Sequence, residues 1–167
     1  MSLGWYKPSP LAEGDKAPDF TVESTAGTLT LSEELPEGPV VLAFYMGDFG
    51  TTCSWVLSKF RDLWPELDSR GMRLWAVARD GIDAHRRYRS RMAFPFPLLS
   101  DPGSDVISTY GCRISNHDIY EGMAGRAVYV IDEDGVIVYA WAADEDPAQP
   151  PDYVGLREFI ESFREPR

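Results

Sequence analysis

Cysteine, histidine and lysine are scarce in this chain: two, two and three residues respectively among 167. Two cysteines as far apart as Cys53 and Cys112 make no disulfide framework, so a reducing cytoplasm is the expected compartment. Nor do they make a CxxC motif, which a thiol–disulfide exchanger normally uses to resolve its own mixed disulfide. His85 and His117 stand alone, without the spacing of a metal site, and no metal is expected. The charge balance, 16 basic residues against 27 acidic ones, leaves a net charge of −11. Such a chain is repelled by nucleic-acid phosphates and by anionic membranes, which removes both from the expected partners. High-salt adaptation and an ordinary self-repelling surface both fit that acidity. No apolar run approaches ~20 residues, so no helix is expected to span a membrane. The N-terminal stretch lacks the charged-then-apolar pattern of a signal peptide.

What is present is the composition of a packed domain, 44% hydrophobic and 13% aromatic. The length suits one domain with a sizeable core. Residues 1–11 read as an N-terminal extension and 12–167 as that domain. Thr21-Val22-Glu23 and Thr28-Leu29-Thr30-Leu31, either side of Gly27, predict a hairpin. A short helical turn follows at Ser32–Leu35, before Pro36 and Pro39. Val40 to Tyr45 is continuously apolar, the signature of a strand covered on both faces.

A helix is predicted over about Ser54–Leu67, with Trp55, Phe60, Leu63, Trp64 and Leu67 as its apolar stripe. Pro65 is expected to kink or shorten it. Met72–Ala78 repeats the buried-strand pattern. Asp83 reads as the N-cap of a helix to about Met92, with Arg86, Arg87, Arg89 and Arg91 forming a basic cluster. Phe96–Ser100 is a short strand, and Ser104–Tyr110 a helix stopped at Gly111. After an irregular stretch, Arg126–Asp132 and Val136–Trp141 form an antiparallel pair around Glu133-Asp134-Gly135. The acidic Asp144-Glu145-Asp146 connection lacks the spaced oxygens of a calcium loop. A last helix starts near Pro151-Asp152. Trp5 and Tyr6 read either as interface aromatics or as rings packed on the body. Strands alternating with helices, then a hairpin and helix, predict an α/β fold: a mixed sheet with helices on both faces and an N-terminal β-hairpin.

Cys53 is the residue with the most chemistry in view. It follows a buried strand and a Gly/Thr turn and falls in the first turn of a helix. Backbone N–H groups there lack helical partners, and the macrodipole favours negative charge. Cysteines in such places tend to be nucleophiles, whereas a buried free cysteine elsewhere is usually core packing. Both readings of Cys53 stay open on position alone.

The order of strand, cysteine-bearing turn, helix and late hairpin resembles the thioredoxin-like fold. Three segments are similar to the peroxiredoxins, the alkyl hydroperoxide reductase and thiol-specific antioxidant group. They are Gly14-Asp15-Lys16-Ala17-Pro18-Asp19-Phe20, Phe44-Tyr45 through Cys53, and Arg126-Ala127-Val128-Tyr129-Val130-Ile131-Asp132-Glu133-Asp134-Gly135. Pro95-Phe96-Pro97-Leu98-Leu99-Ser100-Asp101-Pro102, followed by Tyr110-Gly111, also fits. The resemblance implies a thiol-dependent peroxidase acting on hydrogen peroxide or small organic hydroperoxides, with Cys53 as the peroxidatic cysteine and Arg126 as its guanidinium partner. It implies no cofactor.

The family pattern Pro-x-x-x-Thr-x-x-Cys is altered here. Met46 stands for the proline, Gly50 for the threonine, and Val56 for the Glu or Gln that often follows the cysteine. Phe44-Tyr45-Met46-Gly47-Asp48 is closer to a subgroup with Phe-Tyr-Arg-Gly-Asp-Trp-Cys-Pro-x-Cys, whose first cysteine is Gly50 here. Peroxide contacts would then come from the backbone near Gly50 and from Thr51 and Thr52, although both threonines also suit a helix N-cap. A resolving cysteine found five residues on in some relatives is Ser58. Cys112 is the remaining candidate resolver, with core packing as the alternative. The implied cycle uses one cysteine and an external reductant, either a thioredoxin-like protein or a small thiol. The protein would be a monomer or a homodimer. A thiol–disulfide oxidoreductase and a catalytically degenerate redox sensor or interaction module are the other functions this fold allows. Without a CxxC, the chain is expected to leave the dithiothreitol reduction of insulin at its uncatalysed rate. Accelerated precipitation of the insulin B chain would favour the exchanger instead.

Overall fold

The computed structural model describes residues 4–166. Met1 to Leu3, the start of the expected N-terminal extension, and Arg167 lie outside the described residues. The chain builds one seven-stranded mixed sheet with helices on both faces, the α/β arrangement expected. Strands β1 (Thr21–Ser24) and β2 (Gly27–Thr30) form the N-terminal hairpin. A single helical turn, α1 (Leu31–Glu34), and a 3-10 turn (Leu35–Glu37) lead into β3 (Val40–Phe44), buried along its whole length. Then come α2 (Thr51–Ser69), β4 (Arg73–Ala78), α3 (Ile82–Met92), β5 (Leu98–Ser100) and α4 (Asp105–Thr109). The antiparallel pair β6 (Ala127–Ile131) and β7 (Ile137–Ala142) precedes α5 (Tyr153–Phe163). Spatial order is β2-β1-β5-β4-β3-β6-β7, with β3, β4 and β5 parallel and β6 antiparallel to β3.

Side chains alternate across a strand, so β3 divides the core in two. Val41, Ala43 and Tyr45 face the layer that contains Cys53, Leu57, Phe60 and Leu67 of α2 and Leu156 and Ile160 of α5. Val40, Leu42 and Phe44 face the other layer, with Leu31, Val106, Ile107 and Cys112. The two cysteines therefore lie on opposite faces of the sheet.

Three helix expectations change in detail. Helix α2 starts at Thr51 rather than Ser54 and runs through Pro65 to Ser69. Pro65 is exposed, so its missing N–H falls on the solvent side while Leu63 and Leu67 stay buried on either side of it. Trp55 is not in the buried stripe: it is 52% exposed beneath the Lys59 ammonium, and Val56 and Leu57 pack inward instead. The cap of α3 is Gly81, and Asp83 sits exposed in the first turn, where its charge still suits the helix dipole.

The leading residues lie against the body. Tyr6 is 2% exposed and donates to Ala143 O at 3.0 Å, Ser9 N–H donates to Gly111 O, and Leu11 N–H donates to the Tyr129 hydroxyl. Gly111 has φ +77°, and a Cβ there would collide with the Ser9 carbonyl. A Gly111→Ala variant therefore combines left-handed strain with a backbone clash, and is expected to lose roughly 1–3 kcal/mol of stability in urea unfolding. An unchanged midpoint would show that the leading segment is not seated on Gly111 in solution.

Candidate functional site

The turn between β3 and α2 is held from beneath by a polar knot. The Tyr45 hydroxyl donates to Asp48 Oδ1 at 2.6 Å, and His85 Nδ1 lies 2.7 Å from Asp48 Oδ2. His85 Nε2 donates to Leu99 O at 3.0 Å, so the imidazole from α3 ties the turn to β5. Both the His85 ring and the Asp48 carboxyl are buried. Burial, then the Asp48 charge beside it, pushes the Tyr45 phenol well above its ordinary range and keeps it a donor. Asp80 accepts from Asp48 N–H at 3.3 Å, and its carboxyl is pushed up by burial and then by Asp48. Beyond Asp48 the backbone passes through Phe49, whose φ of +62° is rare for a bulky residue. Its half-exposed ring leans on Tyr88, with centroids 4.9 Å apart.

That turn delivers Gly50 as the N-cap of α2 and Cys53 as its third residue. Ser54 N–H makes the first helical bond, to Gly50 O at 2.8 Å. The amides of Thr51, Thr52 and Cys53 precede it and have no partner within the helix. Thr51 and Thr52 are exposed helical residues rather than N-caps, because Gly50 takes that place without any side-chain bond.

Arg126, immediately before β6, reaches Cys53 from a distant part of the sequence: Nη2 donates to Cys53 Sγ at 3.4 Å. Arg126 as a whole is 1% exposed. Its Nη1 donates to Ala148 O and its backbone N–H to Pro147 O, while Nε has no partner among the described residues. Gly125 lets this segment sit against Tyr6, since a Cβ there would strike the Tyr6 ring. On the other side, Tyr153 of α5 donates to Val56 O at 3.0 Å. Burial raises that phenol, against the opposing influence of the Arg126 charge.

Cys53, though only 5% exposed, opens into a cleft of about 510 Å³. Thr51, Thr52, Gly50 and Arg126 share its lining with Met46, Trp5, Tyr120 and Met123. The structure thus gathers Cys53, Arg126, Gly50, Thr51 and Thr52 into one place. It keeps Cys112 elsewhere, fully buried on the opposite face of the sheet, its thiol 3.7 Å from Ile107 O. Burial pushes the Cys112 thiol far up, so it stays protonated and unreactive at neutral pH. The Asp144-Glu145-Asp146 loop contributes Asp146 to the cleft, and no cluster of metal-ligating side chains occurs among the described residues. Trp5 and His85 were not legible as site residues. Neither carries a local motif, and each reaches the site only through folding.

The model of the AhpC/TSA family matches residues 13–140. The chain is 32% identical over 131 residues to the putative peroxiredoxin bcp of Coxiella burnetii, covering 77% of this chain and 86% of that one. It is 28% identical over 145 residues to a putative chloroplastic peroxiredoxin Q of Oryza sativa, covering 87% of this chain. It spans 64% of the rice protein's length, less than two thirds. The crystal structure of peroxidoxin BcpB from Mycobacterium tuberculosis superposes with a TM-score of 0.77 at 23% identity, covering 93% of this chain and 99% of that one.

With Cys53 on the cleft and Cys112 sealed, a thiol reagent such as 5,5′-dithiobis(2-nitrobenzoate) at pH 8 is expected to titrate one cysteine in the folded protein and two in denaturant. Two fast-reacting thiols in the folded state would contradict the burial of Cys112.

Proposed function

The chain belongs to the AhpC/TSA family, and on that premise we propose that it is a thiol-dependent peroxidase that reduces hydrogen peroxide or small organic hydroperoxides at Cys53. The observation that carries this reading is the Arg126 guanidinium, 3.4 Å from a sulfur placed in the first turn of α2. The thiolate attacks the outer oxygen of ROOH along the O–O axis. As the S–O bond forms, the O–O bond breaks, and the two electrons that reduce the peroxide come from sulfur. RO⁻ departs and takes a proton, leaving ROH and a Cys53 sulfenic acid.

Charge therefore moves from sulfur to the departing oxygen, and donors aimed at that oxygen lower the barrier more than they bind the ground state. Arg126 sits against the sulfur, with Nη2 at the reacting centre, where its charge meets both the thiolate and the oxygen that takes up charge. The unpartnered amides of Thr51, Thr52 and Cys53 point into the same helix N-terminus. Gly50 lacks the hydroxyl that the family's threonine supplies. A Thr51 or Thr52 hydroxyl on the cleft is our assignment for that role.

Cys53 is regenerated by an external thiol, because Ser58 offers none and Cys112 lies across the sheet. One thiol attacks the sulfenic sulfur and releases water, forming a mixed disulfide. A second thiol displaces Cys53 and leaves as the oxidised reductant. A thioredoxin-like protein or a small thiol fits that role. The same separation of cysteines weighs against a thiol–disulfide exchanger. Two unpaired cysteines suit the cytoplasm, and a monomer or homodimer suffices for this chemistry. No helix among the described residues is long and apolar enough to cross a membrane.

Stopped-flow mixing with peroxide, followed by labelling of the remaining thiol, tests the proposal. Cys53→Ser is expected to abolish turnover. Arg126→Ala is expected to slow oxidation of Cys53 by roughly 10²–10³-fold, the loss typical of one charge-stabilising donor. Oxidation of Cys53 no faster than that of free cysteine would sink the reading.

A further inference from the structure

We propose that Trp5 makes this cleft select hydroperoxides bearing a bulky apolar group, aromatic or branched, over hydrogen peroxide. The inference rests on the peroxidase reading above and deepens it. Trp5 precedes residue 13, where the family match begins, so this wall is supplied by the chain's own leading segment.

Size is the first observation. A water molecule's share of liquid volume is about 30 Å³. A two-oxygen peroxide needs little more than that, whereas the cleft holds about 510 Å³. The lining is the second. Around the reacting sulfur are Arg126 and the threonines, Asp48 and Asp146 add carboxylates, and Trp5, Met46, Tyr120 and Met123 give the cleft an apolar wall. A small, fully polar substrate leaves that surface wet. A substituent on the outgoing oxygen covers it, and one aromatic or branched group carries several methylenes' worth of contact.

The third observation is that Trp5 is held in place. Its ring lies 4.5 Å from that of His117 and 6.3 Å from that of Tyr120, and His117 stacks on Tyr120 at 4.5 Å. The next residue, Tyr6, is buried, donates to Ala143 O, and packs on Gly125, the residue before Arg126. The segment that presents the indole is therefore clamped to the segment that presents the guanidinium. An apolar wall fixed relative to the reacting sulfur orients a substrate as well as binding it, and so acts on the second-order rate of oxidation.

The test is the second-order rate constant for Cys53 oxidation by hydrogen peroxide and by cumene hydroperoxide in wild type, Trp5→Ala and Trp5→Phe. Wild type is expected to prefer cumene hydroperoxide by about tenfold or more, in line with the discrimination an apolar pocket provides. Trp5→Ala is expected to lose most of that preference through a fall in its rate with cumene hydroperoxide, and Trp5→Phe to keep most of it. Equal rates for the two peroxides in wild type would overturn this inference and leave the peroxidase reading intact. A wild-type protein whose Cys53 reacts with neither faster than free cysteine does would overturn both. A Trp5→Ala variant that slows both peroxides alike and shifts its elution on size exclusion would assign the indole to a contact between copies, and the inference would again fail.

Discussion

Arg126 beside Cys53 is the contact around which the rest of this molecule is arranged. A guanidinium is expensive to bury without partners for its charge and its donors. Here the sulfur takes one donor and the Ala148 carbonyl another, while the arginine backbone is fixed to Pro147. The reach of Arg126 depends on the start of β6 lying next to β3, which places residues 126 and 53 side by side although 73 positions separate them. Remove the antiparallel docking of β6 on β3 and the thiol becomes an ordinary half-buried cysteine at a helix start.

The opposite wall of the site has its own support. Asp48, tied to Tyr45 and His85, holds the turn that sends the chain into α2, and the left-handed Phe49 completes the change of direction. Buried polar knots of this kind are costly when incomplete and rigid when satisfied. This one is satisfied by a histidine from α3, whose second nitrogen is committed to β5. The first turn of α2, with its free amides, is thereby held against the sheet from below while Arg126 closes it from the side. Substitution of the family's proline by Met46 and its threonine by Gly50 leaves this frame in place, because the frame is made by Asp48, His85 and Arg126 rather than by those two residues.

Most of the elements were legible along the chain, because they rest on local signals. The apolar runs at residues 40–45 and 72–78 belong to strands covered on both faces, and Gly111 and Asp152 mark helix ends as expected. The misjudged details share a cause. Trp55 reads as core because it is large and apolar, but Val56 and Leu57 take the inward positions of that turn and leave the indole in solvent. Pro65 reads as a break, yet a proline on the wet side of a well-anchored helix forfeits only a solvent-facing bond. His85 looks solitary because its partners, Asp48 and the Leu99 carbonyl, come from other strands and turns.

By itself the sequence determined the α/β alternation, the position of one cysteine at a helix start, the scarcity of other thiols, and a net charge of −11. These properties follow from residue type and short-range order. Which groups would surround the sulfur was decided only by tertiary structure. Face alternation across β3 separated Cys112 from Cys53, and strand pairing brought Arg126 to it. The docking of a leading tyrosine on Gly125 set an indole over the cleft. Contacts between residues tens of positions apart depend on how layers pack, and no spacing along the chain encodes that distance.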